Sequence, residues 1–499
     1  MIRRLSACAA LIAVACGGPP PEPAKLPPPP PPATAPSAAA VAPSAPDRAK
    51  LPVPAPTPSW ALPRPQISAL KNGMKVYFMQ QGPTPLVSVL LVLPRGGATD
   101  PKGKAGLTAL TIDMLDEGAG GKDALALSEE LQRLGTDYSG NADVDYVMLA
   151  MNTIADSYDA SVALLASIVQ KPAFDPKEFA RRKSQRIADA LAAESEPSSA
   201  RTIVLRKALF GEGYGSEVAS GTRPTLGKVG LGDVKAQYSA LMVPEGAAFI
   251  VVGGIDQAQA VKALEASFGE WKGTAKSKSA PVSSAKPDKA IFFVDYPGAT
   301  QTALAIARRA PGEGTAEYFP AMVMSRVFGE AFTSRLNLNL REAKGYTYGA
   351  GSNFRRFKEA GLFGLTASVK RETTRASIDE SFKELRELCS SRPISAKERD
   401  EAVGGLLLGF PGRFERGGDV AGQLANIPLY ARPDDWLEKW SERVKAVSVE
   451  QANEIAKGYC NPDEFVVVLA GDRKLVAPTL EGLDRKVTFF DAQGNKAKK

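Results

Sequence analysis

Two distant stretches of this chain repeat one pattern, and the repeat sets the scale of what the chain can fold into. MVPEGAAFIVVGGID (242–256) and CNPDEFVVVLAGD (460–472) each run from a proline turn into an apolar strand and end on aspartate. Pro244 matches Pro462 and Asp256 matches Asp472, at offsets of 218 and 216 residues. A helical segment precedes each copy, DVKAQYSALM in the first and SVEQANEIAKGY in the second. Between the halves, residues 272–289 (KGTAKSKSAPVSSAKPDK) are small, polar and basic, the composition of a linker. The expected fold class is α+β, with two duplicated domains, 66–271 and 290–475, whose helices pack on antiparallel or mixed sheets. Such a pair suggests a clamshell with facing inner surfaces, and clefts of that kind are where peptides and ligands bind.

The finer patterning agrees with this layout. In ISALKNGMKVYFMQQ, Asn72-Gly73 lies between two strand-like runs and predicts a hairpin closed by a two-residue turn. PLVSVLLVLPRGG and DYVMLAMN are expected as strands, and AGLTALTIDMLDEGA and ALALSEELQRLG as helices. SYDASVALLASIVQ and PKEFARRKSQRIADALAAES are amphipathic, the second opening on Pro176 at an early helical position. The second half reads as strands AIFFVDY and QTALAIARRA, helices AEYFPAMVMSRVFG and SRLNLNLREAKG, then a strand pair and a long helix pair. Residues 476–499, ending QGNKAKK, read as a basic, frayed tail.

Composition excludes much chemistry. The 499 residues include no histidine, which removes Ser-His-Asp and Cys-His catalysis and every zinc site that needs an imidazole. Four cysteines (Cys8, Cys16, Cys389, Cys460) are too few and too scattered for a thiolate metal centre or a disulfide framework. The sequence does not decide whether Cys389 and Cys460 pair; two buried thiols are the expectation. The net charge of +7 is spread without a basic block, which points towards an anionic surface rather than nucleic acid. Asp113, Asp116 and Glu117 lack the loop spacing of a calcium or magnesium site and read as a solvated helix end. GAGGK (118–122) lacks phosphate-loop spacing and reads as a turn.

The N-terminus is an address followed by a spacer. Residues 1–16 (MIRRLSACAALIAVAC) join Arg3 and Arg4 to an apolar stretch too short to span a bilayer, which takes about 20 residues. The AVAC-GG ending resembles a bacterial lipobox, with Cys16 as the residue that would carry the lipid. Residues 17–65 are rich in proline and alanine and cannot bury a core, so they are expected as an extended tether.

LKNGMKV, the Gly-Leu of AGLTALTIDML, the run YGSEVASGTRPTLGKVGLGDVKAQYSALMVPEGAAFIVVGGID and, above all, FGEAFTSRLNLNLREAKGYTYGAGSNF occur in one order across the duplicated halves. In that order they resemble the pitrilysin/insulinase family of inverted-zincin metallopeptidases, in its short two-domain bacterial form, over essentially all of 66–475. Active members hold zinc with H-x-x-E-H on the helix after the second strand, the Glu serving as general base. Aligned on Gly106-Leu107, this chain has Ala109 and Asp113 at the imidazole positions and Ile112 at the base. The helix after Pro176 reads KSQRIADAL in place of the glutamate-rich run that supplies a further ligand, with Asp189 nearby. The resemblance therefore implies a zinc-less member with no metal or cofactor of its own.

It also implies a surviving half. In the family an Arg and a Tyr of the C-terminal domain face the zinc across the chamber, and here they fall on Arg341 and Tyr348. A guanidinium and a phenol are donors suited to a developing oxyanion. Tyr346 would share a strand face with Tyr348, and only motif spacing prefers the latter. A purely structural role is the alternative, with Arg341 capping a helix and Tyr348 packed under the sheet. The implied function is the non-zinc subunit of a heteromeric metallopeptidase, acting on peptides with a zinc-bearing sibling and anchored by Cys16 at a bacterial envelope membrane. The alternative is a catalytically inactive scaffold lipoprotein of the envelope that binds peptides or proteins.

Overall fold

Each copy of the repeated strand becomes the third strand of a six-stranded sheet. The computed structural model describes Leu62, residues 64–82 and residues 84–497; the signal 1–16, Cys16 and nearly all of the 17–65 tether lie outside the described residues. The first sheet holds β1 (Gln66–Ala69), β2 (Lys75–Gln80), β3 (Leu86–Leu93), β4 (Asp137–Ala142), β5 (Val147–Ile154) and β6 (Ala248–Gly253), in the order β1-β2-β6-β3-β5-β4. The second holds β7 (Ala290–Asp295), β8 (Gln301–Ala310), β9 (Thr347–Arg356), β10 (Gly361–Lys370), β11 (Val466–Gly471) and β12 (Lys486–Phe490), in the order β12-β7-β11-β8-β10-β9. Five strands of each sheet correspond in order and direction: β2 and β6 run parallel as do β7 and β11, and the remaining pairings are antiparallel. The repeat's closing aspartates play one role. Asp256 accepts from the Gln259 N–H (2.8 Å) and Asp472 from the Lys474 N–H (3.0 Å), each capping the helix after its strand.

The sixth position differs between the sheets. In the first it is filled by β1, antiparallel to β2. The connecting turn holds three residues rather than the two expected at Asn72-Gly73. The Gly73 N–H bonds the Leu70 carbonyl (2.9 Å) and Gly73 takes φ +87°, while the Asn72 amide is drawn away to the Phe268 and Trp271 carbonyls (2.9 and 3.0 Å). In the second sheet the edge is β12, parallel to β7, so most of the segment expected to fray is ordered against the sheet as far as residue 497. Phe489 and Phe490 alternate across the pleat onto Phe293 and Phe292, and two aromatic contacts outweigh the basic end.

The inner strands β2, β3, β6, β7, β8 and β11 are buried on both faces, which explains why they read as unbroken apolar runs. On one face of the first sheet Val76, Phe78, Val89, Leu91 and Val251 pack with the helices of their own half. On the other face Leu90, Val92, Ile250 and Val252 join a core that includes Ile306, Leu365 and Leu469 of the second sheet. The covering helix there is Gly417–Leu429, from the second half. The second sheet is covered reciprocally by Pro197–Phe210, from the first half, whose Ala200, Val204 and Leu209 meet Ala303, Ala305 and Val468. Each buried aliphatic side chain contributes about 1.5–3 kcal/mol, so the exchanged helices tie the halves together through apolar burial. Residues 272–289 have linker composition but are held along the body: Lys276 and Ala280 donate to the Ala240 and Ala98 carbonyls, and the Pro281 carbonyl accepts from Tyr214.

Cys389 and Cys460, expected as two thiols, form a disulfide with Cα atoms 6.1 Å apart. Packing of the helix Thr374–Leu388 against Val449–Lys457 brings its end beside the turn before β11, a juxtaposition hidden by the 71-residue separation. Closing a loop of that length constrains the unfolded chain by about 4 kcal/mol. Replacing both cysteines with serine is expected to lower the unfolding free energy by about 2–4 kcal/mol, measured by urea denaturation. A second prediction concerns acid. Burial would push the Glu398 carboxyl up, yet Arg335, donating at 2.7 and 2.8 Å, and the Ser395 N–H hold it at about 2. The carboxylate's contribution is present above its ordinary pKa and is lost as pH falls towards 2. Glu398→Gln is expected to cost about 2 kcal/mol at neutral pH, the gap to wild type closing between about pH 4.5 and 2.

Candidate functional site

The Gly-Leu of the first half marks a close approach. Gly106 opens the helix Leu107–Asp113 at φ +91°, where a Cβ would lie 2.9 Å from the Gly221 Cα. Asp100 caps the helix start from outside, accepting from the Gly106 and Thr108 N–H groups (2.8 and 2.9 Å). Ala109 and Ile112 are buried, and Ile112 fills the space beside Gly140 of β4.

Asp113 points to the long helix Pro176–Glu194, where Arg186 grips it with two N–H groups; Nη2 donates to Oδ1 at 2.7 Å. The same Nη2 lies 3.5 Å from the Ala109 carbonyl. Glu117 is buried between Arg181 and Arg182, and Arg182 is also the ion partner of Asp116. The acidic stretch is therefore not a solvated helix end. Three arginines on one helix neutralise it, because three carboxylates gathered at a partly buried helix end need compensating charge. Burial still raises the Asp116 carboxyl to about 6 against the opposing pull of Arg182.

A cavity of about 360 Å³ opens beside Arg186, between this helix, the start of Pro197–Phe210 and residues 218–222. Asp189 and Ala190 line it, so it coincides with the helix face expected to supply the further metal ligand. Glu194 and Arg201 line it too. Sequence reasoning passed over Arg186 and Arg201, although Arg182 and Arg186 recur at the four-residue spacing of one helix face.

These residues do not fit zinc. Ala109 and Ile112 carry no donor atom, the Asp113 carboxylate is occupied by a guanidinium, and no group of three His, Cys, Asp or Glu suited to a metal occurs among the described residues.

The second half presents its groups differently. Its most motif-rich stretch contains two π-helical turns, Arg326–Glu330 and Leu338–Ala343, a distortion frequent at functional sites. Arg341 sits in the second, its guanidinium 4.4 Å from the ring centre of Phe332 and 3.5 Å from Glu342. In β9 the register slips between Val369–Thr347 and Ala367–Ala350, so Tyr348 and Gly349 together oppose Ser368. The Thr347 hydroxyl binds across this bulge, accepting from the Gly349 N–H (3.1 Å) and donating to the Ser368 carbonyl (2.7 Å). A bulge re-aims its side chains, and Tyr348 is 89% exposed while Tyr346, just before the strand, packs on the core. The two tyrosines therefore do not share a face, Tyr348 does not pack under the sheet, and Arg341 stacks on a ring. No hydrogen bond joins Arg341 to Tyr348, or either to the Asp113 cluster, among the described residues.

A body of two six-stranded mixed sheets covered by helices, with no metal-binding group among the described residues, defines a degenerate peptidase-like class. The family model "Insulinase (Peptidase family M16)" matches residues 75–221 and "Peptidase M16 inactive domain" matches 228–406, together well over half the chain. The chain belongs to this family, the pitrilysin/insulinase family, and is a degenerate member of it. A Helicobacter pylori protein named "Non-peptidase homolog YmxG" is 20% identical over 397 residues, covering 78% of this chain and 90% of that protein. The crystal structure of a peptidase M16 inactive domain from Pseudomonas fluorescens superposes with a TM-score of 0.76 at 24% identity, covering 82% and 98% of the two chains. A chain of complex III2 from Candida albicans does so at 0.71 and 19%, covering 84% and 97%.

If Arg186 holds Asp113 as described, Arg186→Ala is expected to destabilise the fold by about 2 kcal/mol, since it strands a largely buried carboxylate. Adding Asp113→Ala should restore most of that loss, and a double-mutant cycle by urea denaturation measures the coupling.

Proposed function

We propose that this chain is the non-zinc subunit of a heteromeric M16-type metallopeptidase. The observation that carries the reading is the contrast between the halves. The metal position is filled by Arg186 and Asp113, while Tyr348 stands out from a bulge beside the π-helical turn that bears Arg341. In the proposed complex, a sibling carrying H-x-x-E-H would hold the zinc and supply the water-activating chemistry that hydrolysis needs. Arg341 and Tyr348 hold the substrate backbone and donate to the oxyanion. Lipidated Cys16 and the tether place the body at a bacterial envelope membrane, facing the periplasm or the cell surface. A Cys389–Cys460 disulfide suits that oxidising location.

The test is affinity capture of the tagged chain from native membranes, with bound proteins identified by mass spectrometry. A stoichiometric H-x-x-E-H partner is expected. In the reconstituted complex, Arg341→Ala and Tyr348→Phe should each lower peptide kcat/KM about 10²-fold without disturbing assembly, the loss typical of an oxyanion donor. Capture of unrelated envelope proteins, with no zinc-bearing sibling, would instead support the scaffold reading, which the name of the H. pylori relative favours.

A further inference from the structure

The cavity beside Arg186 has polar groups that the protein does not satisfy. Its acidic members are engaged on one side only. Asp189 accepts from the Gln185 amide (2.9 Å), and Glu194 Oε2 accepts from Arg223 Nε (2.8 Å) and Gln493 (3.1 Å). Glu194 Oε1 has no partner, although the side chain is more than nine-tenths buried. An orphaned buried acceptor of this kind wants an N–H.

Arg201 carries the complementary deficit. Its Nη1 reaches only the Leu304 carbonyl (3.3 Å), its Nε is buried without a partner, and no carboxylate lies within ion-pair distance. Burial alone lowers its pKa; no anion opposes the effect. A desolvated guanidinium is unfavourable until an anion meets it. Arg201 lies in the second turn of Pro197–Phe210, whose N-cap residue, Glu196, makes no side-chain cap and whose first turn carries no acidic residue. The hydroxyls of Ser199 and Ser220 line the same cavity and make no hydrogen bond among the described residues. The volume of about 360 Å³ falls within the range of small-ligand sites.

We propose that this cavity binds an α-amino-acid unit with a free carboxylate, the carboxyl end of a peptide, with the carboxylate on Arg201 and the N–H on Glu194 Oε1. The guanidinium fork matches a carboxylate. Arg186, locked on Asp113, forms one wall. The site holds whether or not a zinc-bearing partner exists, so its failure leaves the subunit reading untouched.

The test is fluorescence anisotropy of the full chain with a mixed-sequence tripeptide pool labelled at the N-terminus. The pool is used once with free carboxyl ends and once amidated. The free-acid pool is expected to bind at least about tenfold more tightly, the difference between a charge-assisted pair and its neutral analogue. Arg201→Met should abolish the preference and Arg201→Lys keep part of it, with circular dichroism confirming the fold; where the Met variant fails to fold, the Lys variant carries the test. Equal binding of the two pools, or none, would overturn the proposal. Unlabelled free amino acids that displace the probe would support the carboxylate site and name them as occupants; failure to displace it would assign the site to peptide ends.

Discussion

Reciprocal burial of two helices organises the molecule. Gly417–Leu429 from the second half closes the first sheet, and Pro197–Phe210 from the first half closes the second. Neither sheet could face water on its covered side, because Leu90, Val92 and Ile250 on one and Ala303, Ala305 and Val468 on the other would expose a continuous apolar surface. The halves are thus partners in one core as much as two domains joined by a linker. Opening the body wholesale would uncover both surfaces at once, at a cost larger than the net stability of a typical domain.

That arrangement keeps the Asp113 cluster apart from what holds the fold together. The apolar clusters run through the sheets and the exchanged helices, whereas Asp113, Asp116 and Glu117 lie at a helix end beside them. What the position requires is positive charge against clustered carboxylates, and Arg181, Arg182 and Arg186 on a neighbouring helix supply it. A guanidinium is a fixed cation with directional donors but no open coordination position, so it satisfies the electrostatics and cannot activate water.

Much of this was legible in the sequence because it is local or periodic. The repeated strands, the helix opened by Pro176 and the missing imidazoles at Ala109 and Asp113 are all written in neighbouring residues. The features that escaped depend on what tertiary packing brings together. The disulfide joins residues 71 apart. β12 forms because Phe489 and Phe490 find partners on a strand almost two hundred residues earlier, against the basic composition around them. Arg186 was visible as a residue but not as the partner of Asp113. Only motif spacing preferred Tyr348 to Tyr346; the bulge of Tyr348 and Gly349 that turns them apart has too short a signal to read alone.

Both halves leave some interactions unmade. Around Asp113 almost every charge has found a partner, and the exceptions, Glu194 Oε1 and Arg201, border a cavity. The second half also leaves buried polar atoms without a hydrogen bond, Asn339 Oδ1 and Arg432 Nε among them, and sets the Tyr348 ring in solvent. Tyr348 gains no packing from its position, and the bulge that presents it interrupts a ladder that otherwise runs unbroken from Gly361 to Ala367. Two π-helical turns next to it add a further departure from regular geometry. A fold under pressure only for stability would straighten the strand and bury the ring. Local departures of this kind are a reason to look for a use outside the core, and the group that this one carries into solvent is the Tyr348 phenol.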